Sequence, residues 1–167
     1  MINKTSLILR TTIVAATALV VGGGIAMAGD GTSPVVPPAA RATASVFTVV
    51  ERAYTDVVVY VNPAKDDVIG NTIGWGNPLY GKANHKRIGR DQGFCYRTNP
   101  GKSWECTWSN LLQHGRITVQ GVFLDSGKDS RLAITGGTGR YEDASGYMVL
   151  HARNAKGTAY DFEFHVM

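Results

Sequence analysis

A chain of 167 residues with 17 Lys and Arg, 13 Asp and Glu and two cysteines has room for one ordinary domain and its core. The formal charge of +4 drops to +2 once Lys4 and Arg10 of the N-terminal leader are set aside, leaving 15 basic against 13 acidic side chains scattered in both signs. That balance is no nucleic-acid footprint, and no nucleic-acid partner is expected.

Lys4 and Arg10 flank a polar start, an apolar run follows from Ile13 to Val21, and Ala26-Met27-Ala28 supplies an A-x-A cleavage site. Residues 1–28 therefore read as an export signal, with a secreted mature chain beginning at Gly29 and no membrane attachment after cleavage. Thr11 to Ala28 comes close to the ~20 apolar residues of a membrane span. The three glycines Gly22 to Gly24 and the small-residue ending weigh against an uncleaved anchor. Residues 29–45 hold Gly31, Pro34, Pro37, Pro38 and several alanines without an apolar period, which reads as an exposed linker. The domain proper is 46–167.

From Val46 onward apolar residues alternate with period two and no window carries a helical stripe, so the expected class is all-β. Strands are expected at Val46–Ala53, Val57–Val61 or its continuation, Val68–Trp75, Gly93–Thr98, Ser103–Leu111, Arg116–Leu124, Ser130–Thr135, Gly146–Arg153 and Thr158–Val166. Turn residues separate them, among them Asn62-Pro63, Asn77-Pro78, Pro100-Gly101, His114-Gly115 and Gly136-Gly137. The basic run His85 to Arg90 reads as a solvated loop. Eight or nine short strands joined in sequence favour an up-and-down meander, and eight close into an antiparallel barrel without free edges. Such a barrel holds packed side chains or one small apolar ligand.

In the first strand Glu51 shares a face with Phe47 and Val49. It is either a strand-end carboxylate leaning into solvent or an interior acid whose pKa is raised by desolvation, suited to proton transfer. Asn77, beside Pro78, is either an Asx-type turn or an amide that holds a water or donates to a substrate oxygen. Phe47, Val49, Trp75 and Tyr141 are the candidate ligand contacts, and Trp75, Trp104, Trp108 and Tyr141 suit packing better than base stacking. Cys95 and Cys106 flank the Pro100-Gly101 turn and would face each other across a hairpin as a disulfide. The four histidines lie far apart without ligand spacing, so neither a metal nor a cofactor is expected. Leu132-Ala-Ile-Thr-Gly-Gly-Thr-Gly-Arg-Tyr141 is glycine-dense, but Glu142 stands where a dinucleotide loop needs its third glycine and a strand follows instead of a helix. It reads as a strand-turn-strand corner.

Seven blocks in one order resemble the allene oxide cyclase and dirigent barrels, in particular their exported bacterial relatives. They are Phe47-Thr-Val-Val-Glu51, Asn77-Pro-Leu-Tyr80, Lys86-Arg-Ile-Gly-Arg-Asp-Gln-Gly-Phe-Cys95, Trp104-Glu-Cys-Thr-Trp108, Ile117-Thr-Val-Gln-Gly121, the glycine-dense corner, and Tyr160-Asp-Phe-Glu-Phe164. The resemblance implies a single eight-stranded barrel over 46–167. In plant cyclases of the family a barrel glutamate assists opening of a fatty-acid epoxide, and two asparagines with a proline hold a water at the epoxide oxygen. Glu51 is similar to that glutamate, Asn77 to the second asparagine, and Cys95 falls at the pocket cysteine, whereas Ala53 stands at the first asparagine. The implied function is a cyclase or isomerase acting on an apolar small molecule. A non-catalytic dirigent-like or carrier barrel and an extracellular structural barrel are the alternatives. The family also implies a possible homotrimer.

Overall fold

The computed structural model describes residues 44–167; the expected signal segment and nearly all of the linker lie outside them. Ten strands and no helix make up the described residues: β1 Ser45–Arg52, β2 Val57–Val59, β3 Thr72–Trp75, β4 Pro78–Gly81, β5 Arg87–Asn99, β6 Ser103–Leu112, β7 Gly115–Leu124, β8 Ser130–Gly139, β9 Gly146–Ala152 and β10 Ala159–Val166. Every pairing is antiparallel. β5 pairs with β6 on one edge; on the other it meets β4 through Arg87–Arg90 and β3 through Gly93–Tyr96. β4 in turn pairs with β1, and β3 with β2. β1 with β2, and β3 with β4, are thus two staves each broken once, so ten strands make eight staves. Pairing of β1 with β10 closes an up-and-down barrel.

Period two decides what fills it. On β10, Phe162, Phe164 and Val166 are buried while Glu163 between them is exposed, and the register sets Phe47 against Phe164 and Val49 against Phe162. Ile117 and Val119 on β7, Leu132 and Ile134 on β8 and Met148 and Leu150 on β9 complete the same interior. Around Phe47 that interior is solid: its ring stacks on Phe164 at 5.0 Å and lies 6.1 Å from Tyr141.

Two expectations are corrected. The basic run at 85–90 largely belongs to β5, whose first residues are covered by β4, a strand that Asn77-Pro78 had hidden as a turn. Gly136 and Gly137 lie inside β8 as well. The register slips there, Thr118 facing Gly136 and Val119 facing Ile134, so Thr135 is the extra residue of a bulge and Gly136 takes φ of +149° beside it. The chain reverses only at Arg140–Asp143.

Cys95 and Cys106 stand opposite each other on β5 and β6 and form a disulfide across the hairpin. The closed loop spans a sequence separation of 11. Replacing both cysteines by serine is expected to lower stability by about 2–3 kcal/mol while the far-ultraviolet spectrum keeps its β character. Equal denaturation midpoints for the two proteins would show that hairpin pairing alone fixes these strands.

Candidate active site

The breaks in the two split staves face each other. Glu51 pairs with Leu79 and Val57 with Gly74, so residues 53–56 and 76–77 are neighbours that no ladder joins. Pro78 has no N–H to lend. Asn77, fully buried, fills the gap with its side chain. Its Oδ1 accepts the Tyr54 N–H at 2.9 Å, the Thr55 N–H at 3.0 Å and the Thr55 hydroxyl at 3.0 Å. Its Nδ2 donates to Glu51 Oε1 at 2.9 Å and to Asp56 Oδ1 at 2.8 Å. The Asn77 backbone N–H donates to Asp91 Oδ1 at 3.2 Å, and its carbonyl accepts the Asp91 N–H at 2.9 Å.

Three carboxyls therefore converge on one asparagine, two of them deep in the wall: Glu51 is 5% exposed and Asp91 is fully buried. Burial pushes the Glu51 carboxyl well above its usual range, and the neighbouring Asp91 charge pushes it further. Burial likewise raises Asp91, to about 6, against the hydrogen bonds that favour its ionised form, from Glu51, from the Trp75 indole and from the backbone. The two form a buried acid pair in which burial favours the neutral form of Glu51 while the surrounding donors favour the ionised form of Asp91. Tyr160, opposite Glu51 on β10, is pushed up to about 12 by burial and by the nearby acid, and stays a neutral phenol.

Glu51 forms part of the wall of a part-open cavity of about 120 Å³ in the half of the barrel away from Phe47. Trp75, Trp108 and Phe162 form one aromatic side, with Trp108 5.7 Å from each of the other two rings. Phe123 and Tyr160, edge to face at 6.1 Å, form another. Gly93 sits opposite Trp108, and a Cβ there would collide with the Trp108 side chain and the Thr107 carbonyl, so only glycine lets the indole occupy this place. The disulfide closes the same wall. Above it Arg97 lies 3.9 Å over the Trp104 ring and is ion-paired with Asp67 and Asp125, tying the loops that carry them across the barrel end.

Of the residues singled out from sequence, Glu51, Asn77 and Trp75 come together here. Phe47, Val49 and Tyr141 do not reach the cavity; they belong to the packed interior away from it. Asn77 makes no local Asx turn, because its carbonyl oxygen bonds amides 22 and 23 residues away. Both of its amide hydrogens lie on carboxyls, which assigns it to positioning. Asp91 escaped the sequence reading, although it has the parity of Gly93 and Cys95 on β5. Extending β5 back through the basic run would have put it on the inner face.

A carboxyl with a raised folded pKa makes the fold hold an extra proton, so its stabilising effect is greatest below the unfolded value, about 4, and is lost as pH rises through the folded value. The window here runs from about 4 through at least the Asp91 value of about 6. Glu51→Gln keeps the shape and removes one ionisation. Its stability relative to the parent, read by denaturant unfolding at several pH values, is expected to improve steadily across that window. A constant difference between the two proteins would mean that Glu51 ionises normally.

The chain matches the allene oxide cyclase family over residues 38–154. The barrel is also similar to solved structures: Pyocyanin demethylase, at 20% identity and TM-score 0.60 over 71% of this chain and 98% of that one; a pterocarpan synthase dirigent protein, at 16% and 0.62 over 75% and 94%; and a Diels–Alderase from Streptomyces koyangensis, at 17% and 0.61 over 74% and 63%. At these identities the structural likenesses establish the barrel architecture. The family match covers well over half of the chain, and the protein belongs to the allene oxide cyclase family.

Proposed function

We propose that this protein is an exported isomerase or cyclase that takes a largely apolar small molecule into the cavity and handles a proton through Glu51. The observation that carries this reading is the Glu51–Asp91 pair at the wall of an aromatic cavity, held by Asn77. An apolar enclosure folds a flexible or reactive ligand into one conformer and keeps water away. Glu51 delivers the shared proton to a ligand oxygen as negative charge develops there and takes one back when the product forms, while Asp91 stays ionised and holds the Glu51 carboxyl in its protonated form between turnovers. Asn77 fixes the carboxyl without touching the ligand. Export through residues 1–28 and a linker over 29–45 agree with the disulfide, which persists in oxidising compartments.

A non-catalytic dirigent-like or carrier barrel is the second reading. Ala53, at the place of the family's first asparagine, and the engaged Asn77 amide favour it, since no free amide hydrogen remains to hold a water. The two separate on Glu51→Gln, since a barrel that only shapes its ligand keeps its product chirality without the acid. A fatty-acid allene oxide generated in situ with the Gly29–Met167 protein is expected to give enantiomerically enriched cyclopentenone, lost in Glu51→Gln. Racemic product identical to the uncatalysed control leaves the carrier reading.

Self-association is proposed as well. Val57 and Val59 on β2, Phe94 and Tyr96 on β5 and Val122 on β7 are exposed on alternate staves of one side of the barrel, with Phe94 and Tyr96 edge to face at 5.4 Å. Light scattering coupled to size exclusion is expected to report a trimer, and a charged replacement of Tyr96 to dissociate it. A monomeric parent protein would remove the proposal.

A further inference from the structure

The cavity has a charge problem as well as a shape. Glu51, Asp91 and Asp56 all bond to Asn77, so three carboxyls meet around one amide beside the cavity. No Lys, Arg or His lines the cavity. Arg97, at the same end of the barrel, is already spent on Asp67 and Asp125. Uncompensated negative charge against a low-dielectric aromatic wall is costly, and ring faces present further negative potential to whatever enters. A neutral apolar ligand would do nothing to relieve this. A cation would, by pairing with the carboxyls and lying against the rings.

An independent feature points to a ligand as well. The Trp108 indole N–H is buried, with the residue 3% exposed, and has no hydrogen-bond partner among the described residues. Its ring lines this cavity. A buried donor left unpaired is the exception in folded proteins, and a ligand acceptor reached by a small shift of the ring would satisfy it. Size sets the last limit. About 120 Å³ accommodates roughly one six-membered ring, near the 150 Å³ of an apolar cavity known to take benzene, so the rest of any longer chain would extend through the open side.

We propose that the cavity recognises a compact planar aromatic cation, one ring across, whose positive charge faces the Glu51 and Asp56 carboxyls and whose acceptor oxygen takes the Trp108 N–H. The inference rests on the reading above that this cavity is the ligand site, and names the class of molecule that site takes.

Three probes, the first two of one shape and the third lacking the carboxamide, separate the parts. 1-Methylnicotinamide carries both the ring charge and a carbonyl, 3-methylbenzamide has the carbonyl without the charge, and 1-methylpyridinium has the charge without the carbonyl. Titrations at neutral pH, followed by quenching of tryptophan fluorescence and by calorimetry, are expected to show 1-methylnicotinamide binding roughly tenfold more tightly than 3-methylbenzamide. Glu51→Gln, and Asp56→Asn at an exposed position that does not threaten the fold, should each shrink that preference. The advantage over 1-methylpyridinium should shrink in Trp108→Phe. Equal or tighter binding of 3-methylbenzamide would overturn the cation proposal while leaving an apolar ligand cavity standing. Failure of all three to bind, with the protein folded, would overturn the cavity reading along with it.

Discussion

The structure depends on the side chain of Asn77 standing in for a missing stretch of sheet. Where the first two staves break, backbone amides at Tyr54 and Thr55 lose their ladder partners, and buried amides without partners are costly. A residue at this place must accept at one end and donate at the other. Aspartate would offer no donor to the two carboxyls and would add a third charge beside them; leucine would offer neither function. The amide satisfies both sets at once, so the repair of the barrel wall and the gathering of acids in it are one set of hydrogen bonds.

That coupling explains why the barrel is unevenly filled. Away from the break, large side chains alternate inward without interruption and Phe47, Phe164 and Met148 close the interior. Beside the break the inward positions of the first two staves are taken by Glu51, Asp56 and Trp75, which leave space between them and the opposite wall. The disulfide and the Arg97 ion pairs brace the same half, where packing alone is thinnest. Covalent and ionic ties thus sit where the hydrophobic core cannot supply rigidity, and the ligand space is bounded by groups with little freedom to collapse into it.

How much of this could be read in the chain follows from range. Alternation is local, so the β class, most strands, the shared strand face of Phe47, Val49 and Glu51, and the cross-hairpin disulfide were all legible from residues within a few positions of one another, whereas whether Glu51 turns inward was not. β4 was not, because Asn-Pro is ordinarily a turn and only pairing to both β1 and β5 makes Pro78–Gly81 a strand. The basic start of β5 failed for the same reason: its outward arginines look like a solvated loop until a neighbouring strand is known. With that strand hidden, the inward parity of Asp91 was hidden too, and with it the proton partner of Glu51. Tyr141 illustrates the opposite error. It is aromatic and on the correct side of the barrel, yet the height along the axis that separates packing from cavity is set by register, which no single strand encodes.

Two buried acids with no cation beside them would ordinarily be removed by packing alone, since hydrocarbon of similar volume is no worse for stability. Their cost here is limited, on the proposed reading, by a shared proton, and by three donors: the Asn77 side-chain amide, its backbone N–H and the Trp75 indole. On the proposed reading, what remains is a site whose charge state would change when a ligand arrives. A cation near Asp56 would favour ionisation of Glu51 and release of its proton, whereas a ligand oxygen approaching Glu51 would receive that proton directly. Binding and proton movement would then be the same event seen from two sides, with the broken wall as its place.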